Sequence, residues 1–483
     1  MKIKGLRWWI LTLTATVTFI NILDRGTMNY MWNDSTKTVR AESGAGADTV
    51  VVVQRGIASD LGFLRAREFT PEERDAILAL PAPERPAKEA GLRNRLLAEH
   101  SKEVLALIGV MFLVAYGISQ VLFGKIFDRV GTRKGFTLSA FVWGWAVALT
   151  SIATGLKSIA FFRILLGLAE AGPWPGTVKA NAEWFPLEKR AIAQGVFGAA
   201  SAVANIVSPV LILYLFALFG WRVTFILLGA VCLLWIIPWW IIARTPPAAH
   251  PWITREERDY ILAGQPKVEK QNDVALTLRE LLATKSSYAV ILGRLLLDPV
   301  WWLFMFWLPI YLKDAFAMTS DQIMRMAWLP FVGAAVSGVI GGWVAGGLIR
   351  RGRSVNYARK ATIAIGCGLM LAGMLCEAFL VNTPLAACLY LMVVLGGFQF
   401  AIVNIQTLPS DFYSGKTVAS LAGLGGAAAM AGTIPVTLIV PKLTTGGNWT
   451  PLFVLSIALI VATLFYMFVV AGRFKTLSDE RHF

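Results

Sequence analysis

Apolar runs of roughly 17 to 25 residues with few charges recur along almost the whole chain, each long enough to cross about 30 Å of hydrocarbon as an α-helix. Twelve are read, near 8–32, 103–123, 135–155, 157–179, 190–218, 222–243, 288–312, 322–349, 361–380, 384–408, 417–440 and 450–472. In lipid each backbone N–H and C=O needs a partner inside the protein, so uninterrupted runs of this length argue for helices. A membrane barrel would show segments of about ten residues with alternating polarity. The fold class expected is therefore all-α, a polytopic membrane protein of twelve transmembrane helices. Composition agrees: 56% of the 483 residues are hydrophobic and 16% charged, against about 25% charged in soluble domains.

The net charge of +15 raises nucleic acid as a partner until the basic residues are located. They fall in alternate loops. With the N-terminus inside, the inner segments (Lys2, Lys4 and Arg7; Lys125–Lys134; Lys189 and Arg190; the 244–287 linker; Arg350–Lys360; Lys416; the C-terminus) carry about 25 Lys and Arg. The short outer loops carry about five. The surplus encodes topology, the lipid bilayer is the expected partner and nucleic acid is not.

Six runs, a polar linker at 244–287 and six more runs suggest two similar halves, 1–243 and 288–483, packed around a central site. In the linker, Thr254-Arg-Glu-Glu-Arg-Asp-Tyr has the start of a capping box and reads as a short surface helix. A second polar block, 34–102, lies between the first two runs on the outer side. It contains a Val50–Val53 run and a helical stretch near Pro71–Leu80, and reads as either a small cap or a loose insertion.

The start of the chain, with Lys2, Lys4 and Arg7 before an apolar run, imitates a signal peptide. However, Asn21-Ile-Leu-Asp24-Arg25-Gly26 stands where a small-residue cleavage site belongs, so the run is kept as a helix. Cys232, Cys367, Cys376 and Cys388 all lie in apolar runs without a histidine at metal-ligand spacing. His100, His250 and His482 lie in loops or the tail. No metal or other cofactor is expected, and any proton chemistry falls to carboxylates. The Gly-rich stretches Leu421–Ala427 and Gly341–Gly347 have no preceding strand and no Gly-Lys-Ser/Thr, so they read as surfaces for close helix approach rather than phosphate cradles.

An ionisable group in a membrane helix costs at least about 2.5–3.5 kcal/mol, so each one needs a partner or a task. The candidates are Asp24 and Arg25 in the first run, Arg163, Glu170 and Lys179 in the fourth, Arg294 and Asp298 in the seventh, and Glu377 in the ninth. Arg163 and Glu170 are two turns apart, about 10 Å along one face. Counting depth places Asp24 level with Arg163, so those two can meet, leaving Glu170 deeper and with no obvious cation in its own helix. Glu170 is then the candidate proton site, or else a structural carboxyl bonded to a neighbouring helix. Arg25 reads either as half of an interfacial pair or as a bidentate anion ligand. Arg294 and Asp298, four apart, read as an ordinary intrahelix pair, and Glu377 as reaching to water near a helix end. Tyr116, Gln120, Trp301, Trp302, Asn404 and Gln406 are further candidates for holding a sugar.

The loop Gly124-Lys-Ile-Phe-Asp128-Arg129-Val-Gly131-Thr-Arg133-Lys134 resembles the signature loop of the major facilitator superfamily, with a weaker echo at Gly342–Gly352 that lacks the acidic residue. Leu23-Asp24-Arg25-Gly26, Arg163-x3-Gly167-x2-Glu170-Ala171, Lys179-x4-Trp184-Phe185-Pro186 and Asp298-Pro-Val-Trp-Trp-x4-Trp307-Leu-Pro resemble its anion:cation symporter branch, near bacterial hexuronate and aldonate transporters. The 34–102 block departs from that pattern. The resemblance implies that Asp24 and Glu170 bind transported protons, that Arg25 and Tyr116 contact a substrate carboxylate, that Arg163 partners Asp24, and that Asp128, Arg129 and Arg133 form a conformational latch. Ser201 stands where aldonate relatives carry an amide, and Gln406 where they carry a tryptophan, which favours a hexuronate over an aldonate. The expectation is a proton-coupled symporter of a small sugar-acid anion, working as a monomer in a bacterial inner membrane with both termini cytoplasmic.

Overall fold

The computed structural model describes residues 2–32, 35–43, 46–62, 68–265, 275–413, 415–444 and 447–474. His482, the end of the C-terminal tail and part of the linker lie outside these. The chain opens with α1 (Leu6–Tyr30), followed by the hairpin β1 (Ser35–Ser43) and β2 (Gly46–Gln54), then α2 (Ile57–Asp60), α3 (Pro71–Leu78) and α4 (Arg85–Leu149). Next come α5 (Leu156–Glu170), α6 (Pro173–Trp184) and α7 (Arg190–Ile242), with the linker helices α8 (Arg255–Ala263) and α9 (Leu278–Ala283). The remainder is α10 (Ser287–Phe316), α11 (Ser320–Met326), α12 (Leu329–Arg350), α13 (Val355–Phe379), α14 (Pro384–Phe412), α15 (Val418–Leu443) and α16 (Thr450–Phe465).

Among the described residues nine helices are long and apolar enough to cross a membrane. Two of them, α4 and α7, turn back on themselves at Gly131 (φ 82°) and Gly220 (φ 75°), a left-handed conformation that glycine adopts without a Cβ penalty. Each therefore supplies two spans. The fourth run is a broken helix, α5 and α6, and with it the structure accommodates the twelve spans read from the sequence.

The break has a chemical cause. Pro173 and Pro175 lack the N–H groups that would continue the ladder. The carbonyls around the break find side chains from neighbouring helices: Ser119 Oγ donates to Leu168, Ser139 Oγ to Ala169 at 2.6 Å, and Asn21 Nδ2 to Glu170 at 3.1 Å. Irregular backbone is tolerated at membrane depth because protein groups satisfy it.

In the linker, Thr254 caps α8 as expected, its Oγ1 accepting from Glu257 N at 3.3 Å. The Glu257 carboxylate does not fold back on Thr254. It accepts the backbone N–H groups of Gly5 and Leu6, each at 2.9 Å, so it caps the start of α1 and ties the linker to the first half.

Within the 34–102 block, residues 34, 44–45 and 63–67 lie outside the described residues, and most of the others form regular elements. The Val50–Val53 run lies in β2 and pairs antiparallel with β1, a hairpin in a fold whose other described elements are helices. Ile57 N and Ala58 N donate to Met31 O at 2.9 Å and Trp32 O at 3.1 Å, and both side chains are buried. Asp60 Oδ2 accepts from Trp221 Nε1 and from the Arg222 guanidinium, each at 3.1 Å. Residues 57–60 are thus docked onto the first half, and residues 85–102 of α4 extend the second span beyond the apolar run by about 27 Å.

Candidate functional site

The end of the bundle that carries residue 2 and the linker is sealed between the two halves. A Cβ at Gly124 would stand 2.6 Å from Ala419 O, one at Gly423 2.2 Å from Gln120 O, one at Gly195 2.3 Å from Gly338 O and one at Gly342 2.3 Å from Ala191 O. Only glycine permits α4 to meet α15, and α7 to meet α12, at these distances. Asp128 completes the seal. Its carboxylate accepts from Lys179 Nζ at 2.9 Å and, across the halves, from Ala419 N at 3.2 Å and Ser420 N at 2.7 Å, where it caps the start of α15. Arg190 adds a second crossing by donating to Ser410 O. Arg133 stays within its own half, donating to Trp240 O at 2.8 Å with its guanidinium over the Trp240 ring, and Arg129 is exposed. The three expected latch residues therefore have different surroundings, and Asp128 is the one that joins the halves.

Away from this seal lies a cavity with about 550 Å³ of empty space. Arg25, Tyr116, Gln120, Ser201, Trp302 and Gln406 all line it. The Arg25 guanidinium lies 4.7 Å from the Tyr116 ring centroid, 5.2 Å from that of Trp302 and 5.7 Å from that of Phe112, an aromatic cage drawn from both halves. One of its nitrogens donates to Asn21 Oδ1 at 3.0 Å. Glu170 stands 3.7 Å from Arg25 Nε, fully buried, and neither of its carboxylate oxygens accepts a hydrogen bond within the protein.

Three expectations are corrected. Asp24 and Arg163 do not form an ion pair: Asp24 Oδ2 accepts from Trp143 Nε1 at 2.9 Å, and Arg163 Nε faces Met28 Sδ at 3.0 Å. Met28 is one helical turn beyond Asp24, so the depth count was off by about that turn. The cation beside Glu170 comes from another helix, Arg25 of α1. Asn404 is not at the cavity. Its oxygen accepts from Arg359 at 3.2 Å within a buried Arg359–Asp411 pair, because two residues along a helix from Gln406 turn it by about 200°. Glu377 does not reach water: it is fully buried and accepts from Tyr311 Oη at 2.5 Å.

The sequence reading also missed groups that the structure brings to the cavity. Arg294 and Asp298 are an intrahelix pair as expected, at 2.7 Å, yet both line the cavity that Arg25 also lines. Gln399 lines it as well. Gln399 is seven residues before Gln406, two turns on the same face, and that spacing was available in the sequence. Trp301 stacks on Phe398 with centroids 5.3 Å apart and supplies an apolar wall. Arg25, Arg294, the amides of Gln120, Gln399 and Gln406 and several indole faces line one chamber, a set of groups able to hold a polyhydroxylated anion.

The chain belongs to the Major Facilitator Superfamily, whose model matches residues 49–435. It is similar to the hexuronate transporter of Escherichia coli strain K12, 29% identical over 350 residues that cover 71% of this chain and 79% of that one. It is also similar to the D-galactonate transporter of Escherichia coli O6:H1, 28% identical over 74% of this chain and 85% of that one. Among solved structures, the proton:xylose symporter of the same superfamily, bound to 6-bromo-6-deoxy-D-glucose, superposes with a TM-score of 0.68 at 12% identity, covering 99% of this chain and 98% of that one. The protein is a multi-pass membrane transporter and not an enzyme.

Proposed function

We propose that the chain is a proton-coupled symporter of a hexuronate-like monoanion. The observation that carries this is Arg25, a guanidinium in an aromatic cage whose counter-charge, Glu170, is held at 3.7 Å without a hydrogen bond. A substrate carboxylate can take the open fork, and protonation of Glu170 removes the competing charge at that moment. Tyr116 assists at the carboxylate, while Gln120, Ser201, Gln406 and the face of Trp302 address the sugar. Asp24, buried against Trp143, is the second proton carrier, and Arg163 lies one turn beyond it. Transport alternates access by rocking 1–243 against 288–483, with the linker end in the cytoplasm of a bacterial inner membrane and the protein acting as a monomer. A membrane potential contributes about 2.3 kcal/mol per charge per 100 mV, so monoanion import gains from it only when two or more protons accompany the substrate. Two carboxylates fit that count.

Arg294 supports a second reading, a six-carbon diacid bridging the two guanidiniums. Proteoliposome uptake under an imposed proton gradient, competed with galacturonate, glucuronate, galactonate, glucarate and a neutral hexose, tests both. Strongest competition by the hexuronates supports the first reading and strongest competition by glucarate the second. Uptake that follows a sodium gradient instead removes proton coupling.

A further inference from the structure

Beneath the central cavity, toward the sealed end, lies a second, narrow void. Three side chains belong to the walls of both spaces and so form the septum between them: Trp174, Arg294 and Gln406. Gln406 is held there from the other half. Gln194 of α7 donates its Nε2 to Gln406 Oε1 at 2.8 Å, and Asn181 of α6 donates its Nδ2 to Gln194 Oε1 at 3.1 Å. All three amides are buried, and Gln194 faces the lower void without reaching the upper one.

This directional chain has two consequences. Asn181 occupies the Gln194 oxygen, which fixes the Gln194 nitrogen toward Gln406. That nitrogen in turn occupies the Gln406 oxygen, so the Gln406 amide presents its N–H donors to the substrate chamber. The bond also joins the two halves at the floor of the chamber and must part before the void below becomes continuous with it. We propose that Gln194 is a positioning residue that sets the donor face of Gln406, and that the Gln194–Gln406 bond is an inner gate directly beneath the substrate. Substrate that pulls on the Gln406 amide loosens the bond and favours opening toward the linker end.

The proposal rests on the alternating-access reading above, but its first readout needs no substrate, so an error in the assigned sugar acid leaves that readout untouched. In a background with Cys232, Cys367, Cys376 and Cys388 replaced, a reporter Ala422→Cys on the wall of the lower void is labelled with a membrane-impermeant maleimide added from the linker side. Gln194→Met removes the bond at similar volume. Labelling is expected to rise about fivefold, the equivalent of one net hydrogen bond. Gln406→Met should raise it equally, and the double variant no further, because both changes break one contact. Uptake by Gln194→Met should show a raised KM, approaching that of Gln406→Met, with the double variant matching Gln406→Met alone. In Gln194→Cys/Gln406→Cys, a short bifunctional methanethiosulfonate should block uptake until reductant is added. Unchanged labelling, additive single effects, failure to cross-link, or undiminished uptake by the cross-linked protein would each overturn the gate. An unchanged KM in Gln194→Met would overturn the positioning role.

Discussion

The two halves differ in how much of their buried charge is paired. In the second half Arg294 pairs with Asp298 at 2.7 Å and Arg359 with Asp411 at 2.7 Å, and Glu377 accepts from Tyr311 at 2.5 Å while its other oxygen is left without a hydrogen bond. In the first half, Asp24, Arg25, Arg163 and Glu170 each retain at least one buried polar atom without a hydrogen bond. An unsatisfied buried polar atom costs about 1–3 kcal/mol, so a cluster of them marks a place where a ligand, a proton or a water is expected to bind. On the proposed reading, the first half is the one that exchanges protons and substrate, and the second supplies a wall with its own internal braces.

The contrast breaks most sharply at Glu170. Glu170→Gln holds the carboxyl in its neutral shape and leaves Arg25 open. The expected outcome is loss of proton-driven accumulation in proteoliposomes with retained exchange of labelled for unlabelled substrate. Uphill uptake by this variant with the wild-type pH dependence would show Glu170 to be a structural carboxyl. In the second half the matching experiment reads stability. Arg359→Met leaves Asp411 buried and unpaired and should cost about 3–5 kcal/mol, seen as earlier thermal unfolding in detergent, whereas Arg359→Met with Asp411→Leu should recover most of it. A double variant as damaged as the single would assign the pair a role in the cycle.

How much of this was legible in the sequence follows the same division. Long apolar runs, the Gly-Asp-Arg signature loop and the buried carboxylates were readable because hydrophobic length and the cost of intramembrane charge are local properties. Partnerships were not, since they depend on rotation about each helix axis. Depth counting set Asp24 beside Arg163 with an error of one turn, and reading an amide in an apolar run as a ligand merged Asn404 with Gln406, which point opposite ways. Arg359 was assigned to a loop because Ser354 caps α13 several residues before the apolar run begins. The docking of Ile57 and Asp60 onto α1 and α7 was invisible because it joins segments far apart in the chain.

A smaller effect is expected where Arg25 is kept charged. Arg25→Lys replaces a planar fork with a point charge, and since a hydrogen bond to a charged group contributes about 1.5–3 kcal/mol, KM should rise about 10- to 100-fold with the maximal rate less affected. Initial-rate uptake across a substrate series measures this. An unchanged KM would remove Arg25 from the carboxylate site and with it the claim that the open charges of the first half serve the substrate.

The smallest effect is predicted at the outer cap. Its contacts through Ile57, Ala58 and Asp60 all reach α1 or α7, elements of the first half, so the cap should move with that half and take no part in the rocking between halves. Asp60 is partly exposed and accepts one bond from an indole and one from a guanidinium that is 44% exposed. Exposed ion pairs of this kind contribute about 0.2–1 kcal/mol, screened further by salt. Asp60→Asn should therefore lower the unfolding temperature in detergent only slightly and leave KM, maximal rate and proton dependence at wild-type values. Replacing 35–54 by a short Gly/Ser linker should likewise spare transport, because the docked residues 56–60 remain. Should either variant insert normally and fold yet fail to transport, the cap would have to contact the second half at some stage of the cycle. The division into a working half and a bracing half would then have to include a third, outer element.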